Sequence, residues 1–299
     1  MISAWRSSGD CRLMFLFISK LYLFEKVIIT MIELFDADIK TDNRRSSKGN
    51  QLKWERNGYW YKADYCGYEG LAEYACSLLL QHADLGGFGF AAYDTAEISY
   101  RHTKYLGCVS KNFLNEGEQL ITCERLFYNE YQRSLTEAVW HLSDHQERLR
   151  FLVDQIILIT GLKDFGKYMN VLMTVDALVL NEDRHFHNIA VIWKPDSSYR
   201  YAPVFDQGAG LLSDTRMDYP LEMDLYEAID SVHPKTFADD FTEQLEISEA
   251  LYGDNIHFNL TMSELQEALA REPFYDSMVK QRVFAVLTDR HRKYGYLFG

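Results

Sequence analysis

Residues 181–188, Asn181-Glu182-Asp183-Arg184-His185-Phe186-His187-Asn188, form the densest run of chemistry-bearing side chains in the sequence. An apolar segment ending at Leu180 precedes it. Two strand-like runs follow, 188–193 and 200–205, joined by a Pro195-Asp196 turn signal and closing on Phe205-Asp206. A hairpin brings its ends together, so Asn188 at its entrance and Asp206 at its exit can both offer oxygen to one hard cation. Asp183 lies five residues before Asn188, within reach of a substrate hydroxyl. A metal-held phosphate donor with a carboxylate base beside it is the equipment of phosphoryl transfer. Taken alone, the same run could be a solvated helix-end loop. His185 and His187 also suggest zinc, but no third nitrogen or sulfur ligand lies near them in the sequence.

Phosphoryl transfer also requires a lysine on a strand for the donor's phosphates, and a carboxylate on the next helix to hold that lysine. Lys62, in the strand-like run 59–65, and Glu73, in the helical run 71–82, satisfy that order. Alone, Lys62 would read as a strand lysine whose stem covers apolar surface. A second Asp-Arg-His, at Asp289, serves as a control. Tyr294 stands five residues on where an Asn would be needed, and no hairpin can follow before Gly299. That copy is expected to be ordinary helix surface.

The elements that must position these residues change character along the chain. Residues 31–128 read as strands and turns around one helix. Asn57-Gly58 between 52–55 and 59–65 predicts a tight hairpin. Runs 88–100 and 105–110 are strand-like, and 115–120 reads as a turn. Residues 129–299 read as helices, with 133–142, 148–160 and 167–180 the first of them, interrupted by the 188–205 hairpin. The expected architecture is α+β and two-lobed, with a small β-rich N-lobe over 31–128 and a larger helical C-lobe over 129–299. No repeat or Pro/Gly/Ser-rich linker separates the halves. Residues 1–30 are expected to be an extension from an upstream start codon: the apolar stretch after Leu13 is broken by Lys20, Glu25 and Lys26, too often for a membrane span or a signal peptide.

Hydrophobic residues make up 47% of the 299 and charged residues 25%, the balance of a globular chain with a substantial core. A net charge of -13 argues against direct nucleic-acid binding and against a polybasic membrane anchor. Five cysteines without a C-x-x-C pair suggest reduced thiols and a cytoplasmic location.

The pattern Asn-x-Asp-Arg-His-x-x-Asn followed by Ala-Pro-x-Phe-Asp resembles the HipA-like serine/threonine kinases, in their short, CtkA-type form. The resemblance covers roughly residues 41–245 and includes 237–244, similar to a Phe…Glu-Gln stretch in that family's helical lobe. It implies a protein-kinase-like fold with ATP and Mg2+ between the lobes. Asp183 would be the catalytic base, Asn188 and Asp206 the metal ligands, and Lys62, held by Glu73, the residue that orients phosphates. It places a phosphate-covering loop at Ser46, Ser47, Lys48, Gly49 and Asn50, with autophosphorylation expected there. That loop carries one glycine, so it could equally be a plain charged turn. An adenine-binding hinge is expected near Val109 to Lys111. The γ-phosphoryl group would go to a Ser/Thr hydroxyl on a protein. An antitoxin-like regulator is implied as a partner, although the region 88–125 matches only in outline and the subdomain that long members use for that contact has no counterpart. Two other readings stay open: a small-molecule or lipid kinase, and a catalytically silent kinase-fold binding protein.

Overall fold

The computed structural model describes residues 31–40 and 51–299. Residues 1–30 and the Ser46–Asn50 loop therefore lie outside the described residues.

The Asn57-Gly58 pair forms the expected hairpin. Both residues have positive φ, 53° and 77°, the conformation that matches the twist of the two strands it joins. These are β2 (Lys53–Arg56) and β3 (Tyr59–Ala63). With β1 (Ile32–Leu34), β5 (Tyr93–Tyr100) and β6 (Thr103–Lys111) they make a five-stranded sheet in the order β1-β5-β6-β3-β2. Only β1 runs parallel to its neighbour. One face carries a small core of Leu34, Trp54, Tyr61 and Ile98. The other face packs on α1 (Glu69–Gln81), whose Leu71, Ala72, Ala75 and Cys76 are buried. Gly70 at the start of α1 lies so close to β6 that a Cβ there would sit 2.4 Å from the Gly107 carbonyl carbon. The short β4 (Ala83–Asp84) follows α1.

The strand expected from residue 88 begins only at Tyr93. The preceding segment instead crosses to the second lobe, where Phe90 bridges Val204 and Phe88 packs on the rings of Tyr168 and Tyr201. The turn expected over 115–120 is also shorter, because Gln119 pairs with Trp193. Strands β7 (Gln119–Thr122), β8 (Ala190–Trp193) and β9 (Tyr199–Tyr201) form a three-stranded sheet. The change from one sheet to the other thus falls at 112–118, ahead of the 128/129 division. Residues 123–131 form a helix whose Cys123, Leu126 and Phe127 are buried in the same core as the helices that follow.

The helices are α2 (Cys123–Tyr131), α3 (Leu135–Trp140), α4 (His145–Thr160), α5 (Phe165–Val179), α6 (Leu225–Ser231), α7 (Phe241–Tyr252), α8 (Met262–Arg271) and α9 (Ser277–Lys293). Between α7 and α8, β10 (His257–Phe258) pairs with β4. Helix α5 is apolar on most faces and almost entirely buried, as expected of a central core helix. It ends on Leu180 in the left-handed conformation, φ 52°, and so delivers the chain abruptly into the 181–188 loop. Among the described residues no helix is long and apolar enough to cross a membrane.

Candidate active site

The floor of the site is the loop after α5. Asp176, fully buried on the last turn of that helix, accepts from Asn181 Nδ2 at 2.9 Å and from both Nε (2.8 Å) and Nη2 (2.9 Å) of Arg184. The third nitrogen of Arg184, Nη1, donates to the carbonyls of Asn188 (3.0 Å) and Phe205 (3.1 Å). One buried guanidinium thereby ties the two ends of the hairpin together. Asn188 Nδ2 donates to the Asp183 carbonyl at 2.8 Å, which leaves the amide oxygen of Asn188 as its ligating atom. Asp183 itself is 14% exposed and meets Lys235 Nζ at 3.5 Å.

The roof comes from the first lobe. Lys62 on β3 points to the α1 side of the sheet. Its ammonium donates to Glu73 Oε1 at 2.8 Å and to Asp206 Oδ1 at 2.7 Å. Glu73 Oε2 in turn accepts the Gln207 backbone N–H at 3.0 Å. The Lys62 ammonium thus joins a strand, a helix and the far end of the C-lobe hairpin. Asp206 adopts φ 65°, an unusual conformation for a non-glycine residue that persists where the surroundings hold it.

The electrostatics follow from burial and charge. Burial would push the Asp206 carboxyl up, but Lys62, Lys53 and Arg184 outweigh it and hold the group far below the usual carboxylate range. Burial alone would lower Lys62, yet Asp206 and Glu73 raise its pKa well above the ordinary value, so it stays charged. Glu73 is raised by burial, against the pull of Lys62. Burial also lowers His185, and its Nδ1 has no hydrogen-bond partner among the described residues. Backbone bonds also hold the loop, His185 N–H to the Asp183 carbonyl and Asn188 N–H to the His185 carbonyl.

Lys53, Glu73, Asp183, Asn188 and Asp206 line one cleft between the two sheets. Five of the sequence-predicted residues are therefore brought together: Lys62, Glu73, Asp183, Asn188 and Asp206. Val109 and Lys111 are not. Val109 lies mid-sheet between Tyr61 and Asp94, and its side chain joins the core on the face away from Lys62. Lys111 ends β6, just before the connector. The control tripeptide sits on α9, where Arg290 pairs with its own neighbour Asp289 at 2.6 Å. Arg184, Asp176, Lys53 and Lys235 were not singled out from the sequence. For Arg184 and Asp176 a signal existed, since a charged residue inside an apolar helix needs a buried partner.

Among the described residues no three His, Cys, Asp or Glu side chains are grouped to hold a metal by themselves. The donor pair Asn188 and Asp206, both hard oxygen, nonetheless fits Mg2+, which takes one or two protein ligands and completes its shell with water and phosphate.

No protein-family model matches the chain, and no curated protein matches it in sequence. Among solved structures it is similar to the crystal structure of CtkA, a proinflammatory kinase of Helicobacter pylori, with a TM-score of 0.60 and 16% identity. The alignment covers 88% of this chain and 95% of that one. The chain has a mixed α+β, kinase-like fold.

Proposed function

We infer that this protein is an ATP- and Mg2+-dependent kinase that transfers the γ-phosphoryl group to a serine or threonine hydroxyl of a protein. One observation carries the reading. Lys62 is held at once by Glu73 and by Asp206, and Asp183 and Asn188 line the same cleft. Structural ion pairs do not require a lysine, an acid on the following helix and two oxygen ligands at the ends of a hairpin; phosphoryl transfer does.

In this reading Lys62 keeps Glu73 and exchanges Asp206 for the donor's phosphates. Asp206 and Asn188 would hold Mg2+, which would supply charge neutralisation at the phosphate oxygens. Asp183 orients the acceptor hydroxyl and accepts its proton. The backbone near Val109 to Lys111, at the end of β6, keeps its proposed role of facing the nucleotide base. The 46–50 loop keeps its proposed phosphate-covering role, and Ser46 or Ser47 remains the proposed site of autophosphorylation, because Arg44, Arg45 and Lys48 would meet the added dianion. An antitoxin-like regulator remains a proposed partner by the same resemblance.

The test compares ADP release and calorimetric Mg-ATP binding for the wild-type chain, Asp183→Asn, Asp206→Asn and Asp289→Asn. Asp206→Asn should weaken both binding and turnover. Asp183→Asn should lower turnover roughly 10²–10⁴-fold with ATP affinity little changed, because the base acts mainly at the transition state. Asp289→Asn should match the wild type. A wild-type chain without Mg-dependent ATP binding, or an inactive Asp289→Asn beside an active Asp183→Asn, would sink the assignment. Mass spectrometry of the peptide around 43–51 after the same incubation reads the autophosphorylation directly.

A further inference from the structure

The cleft's cations are unevenly placed. Lys62 and Lys53 both belong to the N-lobe sheet. In the 181–188 loop the one arginine, Arg184, has every nitrogen engaged by Asp176 or by backbone carbonyls, and its side chain is 2% exposed. It cannot turn toward a ligand. On the C-lobe side, among the described residues, Asp183 meets the ring of its loop neighbour His185 at 4.0 Å and, at 3.5 Å, a lysine from elsewhere: Lys235, 52 residues further along, in the segment between α6 and α7.

That segment is built into the lobe. Thr236 and Phe237, the two residues after Lys235, are both fully buried. The Thr236 hydroxyl donates to the carbonyl of Arg184, the residue next to Asp183. The Phe237 ring packs on Phe186 at 5.7 Å. Its N–H donates to Gln244 Oε1, and its carbonyl accepts from Arg148 Nη1, each at 3.2 Å. The residues that follow Lys235 and Asp183 are thus cross-tied, while the Lys235 side chain stays 46% exposed and that of Asp183 14% exposed. An ion pair this exposed contributes little to stability. The tethering keeps the Lys235 backbone beside the loop that carries Asp183, and its ammonium 3.5 Å from that carboxylate.

We propose that Lys235 is a catalytic residue that bridges the Asp183 carboxylate and the transferred γ-phosphoryl group. The proposal rests on the kinase reading of the cleft. In the step, the acceptor oxygen forms its bond to the γ-phosphorus as the bond from that phosphorus to the bridging oxygen of ADP breaks. The electron pair of the broken bond leaves with ADP, and the acceptor's proton passes to Asp183. Lys235 keeps its proton throughout and holds a phosphoryl oxygen as charge shifts toward the acceptor side. It thereby does from a distant loop what the 181–188 loop, with Arg184 consumed in its floor, cannot do.

The experiment uses the full chain with Mg-ATP, reading ADP release and calorimetric binding for wild type, Lys235→Ala and Lys235→Arg, with thermal unfolding as the folding check. Lys235→Ala should lower kcat for ADP release at least roughly tenfold, the scale of one lost charge-assisted contact, with Mg-ATP affinity within about twofold of wild type. Lys235→Arg should recover most of the loss. An active wild type whose Lys235→Ala variant keeps its kcat overturns the proposal alone. So does a loss in Lys235→Ala that Lys235→Arg does not repair, which would mark a role in packing. A wild type that neither binds nor turns over Mg-ATP overturns the kinase reading itself.

Discussion

Arg184 shows how a single side chain can assemble a site without facing it. Its guanidinium neutralises Asp176, caps the turn after α5 and joins the hairpin's ends, all within a region closed to water. Removing one member of such a pair leaves a buried charge without compensation. Arg184→Met should therefore destabilise the protein by about 3–5 kcal/mol, measured by urea unfolding. Replacing both partners, Asp176→Leu with Arg184→Met, should recover part of that loss, since an apolar pair leaves no stranded charge. A single variant within about 1 kcal/mol of wild type would mean that Asp176 finds another partner. The same pair explains why Asn188 and Asp206 can act together although 17 residues separate them in the sequence.

At the scale of elements, the start of α1 controls where Glu73 stands. Asp64, between β3 and α1, accepts from the Gly70 N–H at 2.7 Å and from the Tyr275 hydroxyl at 2.8 Å. Burial, with the charge of Glu69 beside it, raises its carboxyl to about 7 despite those bonds. A folded pKa above the unfolded one gives stability that is complete below the unfolded value and is lost as pH rises toward 7. Asp64→Asn keeps the shape without the charge. Its stability relative to wild type should rise by on the order of 2–3 kcal/mol between about pH 5 and about pH 8. Urea titrations at the two pH values measure this, and a difference that does not change with pH would contradict it.

Across the whole molecule, two of the connections between the lobes are made by acidic side chains of the C-lobe. One is the Lys62–Asp206 contact inside the cleft. The other lies behind it, in the segment 272–276 between α8 and α9. Glu272, 3% exposed, accepts from Thr95 Oγ1 on β5 and from the N–H groups of Phe274 and Tyr275. Tyr275 then reaches Asp64. Glu272→Ala strands these donors and cuts the rear connection. Hydrogen exchange should accelerate in β5 and β6 while α5 stays protected. Equal acceleration in both regions would show that the strap supports the core as a whole.

Much of this could be read from local pattern. The Asn57-Gly58 hairpin, helix α1 and the polar loop after α5 rest on turn chemistry and apolar periodicity, which act over a few residues. The motif around Asp183 was legible because its members crowd into 26 residues, 181–206. Other features required the packed chain. Phe90 leaves its expected strand to meet Val204, Val109 turns to the far face of the sheet, and Lys235 reaches Asp183 from another loop. Asp64 and Tyr275 lie 211 positions apart, Lys62 and Asp206 144 apart. The sequence by itself determined which backbone conformations and which buried stripes were available. Only the tertiary structure decided which side chains meet across long loops, because those meetings depend on how the buried faces pack together and not on any local preference.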